Sequence, residues 1–284
     1  MHSHNAYTRF IAIPADTTIE TPIHIRYPTE PSSSSDQAFP HLHLSIGRNS
    51  SVHLIETCAS EGACATHLTV DIEEGGTLIH TYMGLTPFPG TSSCLHATVR
   101  NNGSLFSSIA ASTPLFSHSA SIALVEPGAN ATLRGLSALC SSHQSSFNIC
   151  IDHLAPHTSS SQLFKAIVAE KGSGSFESRV SIHKQAQKSE AHQHSHFLTL
   201  GDRAQTRNKP CFDIFADDVI ATHGATCGTV DEEALFYLAS RGLSRNQGRR
   251  YLIEGFCEEF IRVLPSTERA AFSRCILDIL GDEL

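Results

Sequence analysis

Turn signals recur along the chain at near-constant intervals, and this rhythm limits the possible folds more than any other feature. GRNS at 47, EEGG at 73, NNGS at 101 and EPGAN at 126 follow one another, and EKGSGS stands at 170. Each is a cluster of Gly, Asn or Ser with the backbone freedom to turn. Between them lie short alternating runs. HLTVDI places Leu68, Val70 and Ile72 on one face, and SFESRVSIHK does the same with Phe176, Val180 and Ile182. Such alternation predicts strands, and helical periodicity is absent there. A train of short strands suits a sandwich, a barrel, or a solenoid whose coils bury one another's faces, and periodicity alone leaves the three open.

The pattern changes at residue 229. TVDEEALFYLASRG opens with Thr229-x-x-Glu232, a capping-box spacing, carries Leu235, Phe236, Leu238 and Ala239, and stops at Gly242. SRNQGRRYLIEGFCEEFIRVLP repeats the scheme from Ser244-x-x-Gln247, with Leu252, Ile253, Phe256, Phe260 and Ile261 as its stripe and Pro265 as its stop. STERAAFSRCILDILG predicts a third helix with Phe272, Ile276, Ile279 and Leu280 inward. The expected organisation is an N-terminal extension with a Ser-rich loop over 1–40, a β body over 41–228 and a helical region over 229–284.

Charge and motifs exclude several classes. With 20 Lys and Arg against 28 Asp and Glu, the formal net charge of −8 argues against nucleic acid or an anionic membrane as the main partner. No apolar run approaches the ~18 residues of a membrane span, and MHSHNAYTRFIAIPADTT lacks the layout of a signal peptide, so a cytoplasmic chain is expected. The nine cysteines are odd in number, scattered and never in a Cys-x-x-Cys pair, which predicts reduced thiols. No Gly-x-Ser-x-Gly elbow, His-Glu-x-x-His helix or Gly-x-x-x-x-Gly-Lys-Ser/Thr loop supports a stand-alone hydrolase or ATPase.

Two features stand out, and the first invites a metal. EAHQHSHFLTLGD puts His192, His194 and His196 at alternate positions, hence on one face of a strand, and FPHLHLSIG does the same with His41 and His43. A metal-dependent, cupin-like β protein using these pairs is one reading. It lacks the acid a cupin site places a few residues on, since the next acid after His196 is Asp202. The other feature is His223-Gly224-Ala225-Thr226, read as a polar loop where β structure hands over to helix, a setting in which side chains meet partners.

The block KPCFDIFADDVIATHGATCGTVDEEALFYLASRGLSRNQGRRYLIEGFCEEF resembles the SufB/SufD family of iron–sulfur cluster assembly proteins, in its SufD branch. ADDV, HGAT.G, DEEALFYL.SRG and IEGF..E carry the likeness together, and the segment from Asp152 onward looks like the family's coil repeats leading into them. The resemblance implies a right-handed parallel β-helix followed by a C-terminal α-helical region, in agreement with the turn rhythm. It implies a non-enzymatic scaffold subunit of a SufBCD-type complex, pairing with a SufB-like paralogue and docking a SufC-like ATPase through the C-terminal helices. Asp231, Glu232, Arg241, Arg245 and Arg249 are then the groups expected to meet a partner. The family's motif histidine maps onto His223, implying a ligand for an iron–sulfur cluster or iron held transiently at the subunit interface, with no cofactor in the isolated chain. The glycine after it goes with the SufD type, since SufB has a glutamate there, and the functional cysteine of SufB falls at about Ser195. Gln193 and Ser195 would face one side of a strand and His192, His194 and His196 the other, so that the histidine row is not an autonomous metal site. The chain departs from the family in three ways: the long N-terminal helical region is missing or reduced, Ala221-Thr222 replaces the usual Cys-Ser, and Cys211 and Cys227 stand where other residues are usual.

Overall fold

The computed structural model describes residues 8–27, 40–58, 64–85, 90–140 and 142–281. Strands β1 (Thr8–Ile13), β2 (Ile23–Tyr27), β3 (His41–Ile46), β4 (Ser51–Cys58), β5 (Cys64–Ile72), β6 (Thr77–Gly84), β7 (Thr91–Val99) and β8 (Ser104–Ala111) come first. Strands β9 (Leu115–Leu124), β10 (Asn130–Leu139), β11 (Gln144–His153), β12 (Ser159–Val168), β13 (Ser173–Ile182), β14 (Glu190–Thr199), β15 (Gln205–Ile214) and β16 (Ile220–Thr229) complete the β body. Odd-numbered strands form one eight-stranded parallel sheet, sheet A, and even-numbered strands the other, sheet B. Each coil lays one strand on each sheet, so the chain is a parallel β-helix. Neither a closed barrel nor a Greek-key sandwich has this order, which removes the cupin-like reading.

The turn rhythm has a conformational origin. Asn49, Gly75, Asn102, Gly128, His157 and Lys188 take the same corner of successive coils, each with φ between 51° and 74°. Their amides stitch the coils together: Asn49 donates to the Glu74 carbonyl, Gly75 to that of Asn101, and Asn102 to that of Pro127, at 2.9–3.0 Å. The left-handed conformation costs Gly nothing and Asn little, so this corner is visible in the sequence where those residues hold it. It fades where His157 and Lys188 take over. The signal at 170 belongs to the opposite corner, between β12 and β13.

Alternate residues point inward. One row runs through Leu44, Val70, Ala97, Ile122, Ile151 and Val180 in register, all buried. Phe116, Phe147, Phe164 and Phe176 stack beside it with ring centroids 4.7–5.7 Å apart. A Cβ on Gly135 would lie 2.4 Å from Phe164 Cδ1, so the missing side chain is what admits that ring. The interior also holds a polar chain: the Tyr27 hydroxyl donates to Glu56, Glu56 Oε2 meets His80 Nε2 at 2.7 Å, and His80 Nδ1 meets Ser107 Oγ at 2.9 Å.

The solenoid starts earlier than the sequence suggested. Residues 8–27, assigned above to an extension, supply β1 and β2, and β1 pairs with β3 in register from Thr8↔His41. The spacing of that pair is wider than the turn rhythm, and Pro14 and Pro22 interrupt the alternation, which hides the coil. The Ser-rich loop falls, but for Pro40, outside the described residues. Helices α1 (Glu232–Ser240), α2 (Arg245–Ile261) and α3 (Ser266–Gly281) follow. The C-terminal ends of β6, β8, β10 and β12 are apolar on both faces. Their outer residues Met83, Ala110, Leu136, Ala138 and Ile167 pack against Ile253, Cys257, Phe260 and Leu264 on and after α2 and Phe272 and Ile276 on α3. Lys165 on β12 reaches up to this layer, 2.9 Å from Glu259 Oε2 and 3.1 Å from the Phe256 carbonyl. No helix among the described residues is long and apolar enough to cross a membrane, and the eight cysteines described are free thiols.

Candidate functional site

The end of the solenoid carries the motif residues. Strands β15 and β16 close the order of sheets A and B, so each has an outer edge with no described strand beside it. Among the described residues no further coil covers the core cross-section they frame, and β16 is exposed along nearly its whole length. Such an edge is a template for another chain.

His223 lies inside β16, paired with Gln193 of β14, and not in a loop. The expected corner is absent because the ladder continues through Gly224 to Thr229, opposite Thr199. Gln193 is an inward, fully buried residue, so His223 also points inward, into the uncovered end of the core. Its ring lies parallel to that of Phe212, 5.5 Å away with an interplanar angle of 6°. Beneath it the polar atoms are under-satisfied: Gln193 Oε1 and Nε2 and Asn208 Nδ2 are buried without partners. Ser195 donates to Asn208 Oδ1 at 2.6 Å.

The outer face of the same strands holds the histidine row. His192 and His196 are tied sideways to Thr222 and Thr226 of β16, at 2.7 and 2.8 Å, and His194 stands between them with its ring parallel to that of His196. A Cβ on Gly224 would come 3.0 Å from His194 Nδ1, so glycine leaves that imidazole its room. The two faces are thus divided as the alternation predicts. The two unusual cysteines separate: Cys227 shares the inward side with His223 and meets Thr206 Oγ1 at 3.2 Å, whereas Cys211 faces outward on sheet A, in line with Cys150 and Arg179. Around His223 the described residues of this chain converge no three ligand-type groups, so a metal or cluster held there needs ligands from elsewhere.

The expected partner-binding groups are mostly engaged within the chain. Asp231, not Thr229, caps α1, its Oδ1 accepting from the Glu233 and Ala234 amides, because the Thr229 backbone belongs to β16. Ser244 and Gln247 form the capping box of α2 as expected. Arg245 pairs with Glu232 at 2.6 Å, Arg249 donates to the Leu200 carbonyl at 2.9 Å, and the Arg241 guanidinium sits 5.3 Å from the centre of the Tyr237 ring. Of the apolar residues on α1, Leu235 packs inward against Gly248 of α2, while Phe236 is 78% exposed, with Tyr237 and Tyr251 at 57% each. On so short a helix the stripe is narrow enough for either phase.

Comparison with known proteins agrees with the family resemblance. The family model described as SUF system FeS cluster assembly, SufBD core domain, matches residues 29–256. The chain is 34% identical over 114 residues to the iron–sulfur cluster assembly protein SufD of Escherichia coli, covering 40% of this chain and 27% of that protein. It is 27% identical over 270 residues to a SufBD family protein of Synechocystis, covering 89% of this chain and 59% of the other. It is 39% identical over 121 residues to the chloroplastic protein ABCI7 of Arabidopsis thaliana, covering 42% and 25%. The chain therefore spans from about a quarter to under two thirds of the length of these relatives. The family model covers most of the β-helix, all of α1 and the greater part of α2, the elements that bear the motif, and the chain belongs to the SufB/SufD family of iron–sulfur cluster assembly proteins.

Proposed function

We propose that this chain is a SufD-like, non-enzymatic scaffold subunit. It pairs with a SufB-like paralogue through the open end of its solenoid and docks a SufC-type ATPase through its C-terminal helices. The observation that carries this reading is the last coil: two outermost strands frame an uncovered core in which His223, stacked on Phe212, stands above unpartnered amide atoms of Gln193 and Asn208. A paralogue of the same fold, adding its own end coil, would pair both edges and cover that core. A neutral imidazole nitrogen ligates iron, and thiolates from the partner complete the coordination of an iron–sulfur cluster or iron carried as cargo. The exposed Phe236, Tyr237 and Tyr251 on α1 and α2 support the second contact, since exposed aromatics on a rigid helix pair make effective anchors.

The test is cluster assembly by the complex coexpressed with its SufB-like and SufC-like partners. His223→Ala should leave the composition of the complex unchanged, because an exposed side chain contributes little to stability, while bound iron and sulfide fall at least severalfold. Phe236→Ala with Tyr237→Ala should release the ATPase alone. Normal cluster yield in a complete His223→Ala complex would remove the ligand role, and retention of the ATPase by the aromatic variant would place its docking surface elsewhere.

A further inference from the structure

A second group of metal-ligand side chains lies away from the end coil. His67 on β5 and Cys94 and His96 on β7 project from the outer face of sheet A, and one ligand atom from each lies within 4.8 Å of the other two. Register produces the convergence. Cys94 is the direct cross-strand partner of His67, and His96, two residues on, shares its face. Cys94 Sγ and His96 Nε2 are 3.3 Å apart, and the His67 and His96 rings are 5.0 Å apart. His41, the ladder neighbour on β3, stacks on His67 at 4.4 Å and is itself held by Thr69 Oγ1 at 2.9 Å. Within this group the His67 Nε2 is buried and has no hydrogen-bond partner. A buried ring nitrogen left so is costly, and its presence among other ligand groups points to something that would satisfy it.

The separations suit an ion. Zinc sits about 2.0–2.1 Å from imidazole nitrogen and about 2.3 Å from thiolate, which puts tetrahedral neighbours roughly 3.3–3.7 Å apart. Cys94 and His96 already stand at that distance, and His67 offers a ring nitrogen within 4.8 Å of both. Beside them opens a groove of about 390 Å³ that crosses sheet A past Cys150, Arg179, Lys209 and Cys211. We propose that His67, Cys94 and His96 bind one divalent transition-metal ion of the zinc class, with three protein ligands and a fourth position open to the groove. One thiolate with two imidazoles suits zinc, cobalt(II) or iron(II) and disfavours magnesium or calcium, which take oxygen donors. Binding expels the Cys94 thiol proton to solvent, leaving thiolate on the metal. The site is independent of the reading of His223, which lies on the last strand of the other sheet.

The experiment uses the full chain, kept reduced and stripped by a chelator. It is titrated with Zn²⁺ against a chromophoric competitor and with Co²⁺ to give an optical spectrum. One equivalent should bind, and the Co²⁺ form should show a sulfur-to-metal charge-transfer band. Cys94→Ser should abolish the band, and His67→Ala and His96→Ala should each weaken Zn²⁺ by at least the ~10–100-fold that follows loss of a group merely orienting a ligand. His223→Ala should bind as wild type does. All three side chains face outward, so circular dichroism of each variant should match wild type. The proposal is overturned if the wild-type chain takes up no stoichiometric ion, or if the band survives Cys94→Ser, or if affinity is indifferent to both histidine substitutions.

Discussion

Histidine stands in several settings in this chain, and burial distinguishes them. His118 and His153 lie inside the solenoid, at 1% and 0% exposure. His118 Nδ1 is 2.6 Å from Ser93 Oγ, and His153 is held by Thr158 and Ser160 at 2.8 Å each. Burial, with His80 nearby, pushes the His118 pKa down to about 3, and burial alone brings that of His153 to about 4. A base depressed in the folded state binds its proton only on unfolding. The stability it contributes is therefore complete above 6.5 and lost as pH falls below that value toward the folded pKa. The loss between pH 6.5 and about pH 5 should be about 2 kcal/mol per buried histidine. Urea midpoints measured across that interval should fall steeply in the wild-type chain and less steeply in His118→Gln. A flat wild-type response would mean that neither ring is buried neutral. Alternation alone could assign each histidine to a face, as it did for His192, His194 and His196, but could not say whether that face met core, solvent or another histidine.

Among the elements, the C-terminal helices are bound to the β body by one apolar layer, by Lys165 and by the Arg249 bond to the Leu200 carbonyl. Phe260 is the largest fully buried α2 side chain in that layer, 5.8 Å from Phe272 of α3. Phe260→Ala should cost about 3–5 kcal/mol of docking energy. Because the β coils have their own core, the loss should appear as local opening. Limited proteolysis should then cut between residues 241 and 266 while the strands stay intact, and cooperative loss of the whole chain would contradict this division. The signals at Ser244, Gln247, Gly242 and Pro265 were legible because they act within a turn or two of themselves, whereas the cap of α1, read at Thr229, is Asp231 because β16 runs through Thr229. The phase of α1 was not legible, because nine residues offer two plausible stripes and only the contact of Leu235 with Gly248 selects one.

At the scale of the molecule, a solenoid is stabilised by nearest neighbours, so its ends are its weakest coils. Each interior strand is paired on both edges, whereas β15 and β16 are each paired on one. Hydrogen exchange should therefore be slowest over β7–β12 and faster over β15 and β16 in the isolated chain, and the end strands should become protected when the paralogue binds. Equal protection of the end strands in the isolated chain would show that its own copies already cover them.

The sequence by itself determined a body of short strands and the helical tail, and its resemblance to a known family chose the solenoid over the sandwich and the barrel. Period-two alternation and Gly or Asn at a left-handed corner are requirements of one residue on its own backbone, and they recur wherever the corner does. Specificity of motif spacing carried the family. Tertiary structure alone decided which residues meet. Coil length varies, so the strand opposite any given one cannot be counted along the chain, and a slip of one residue would turn every side chain to the other face. That is why His67 and Cys94 were unremarked in the sequence until register placed them side by side. It is also why His223, identified from its motif, was assigned to a loop, when the ladder holds it in a strand facing an uncovered core.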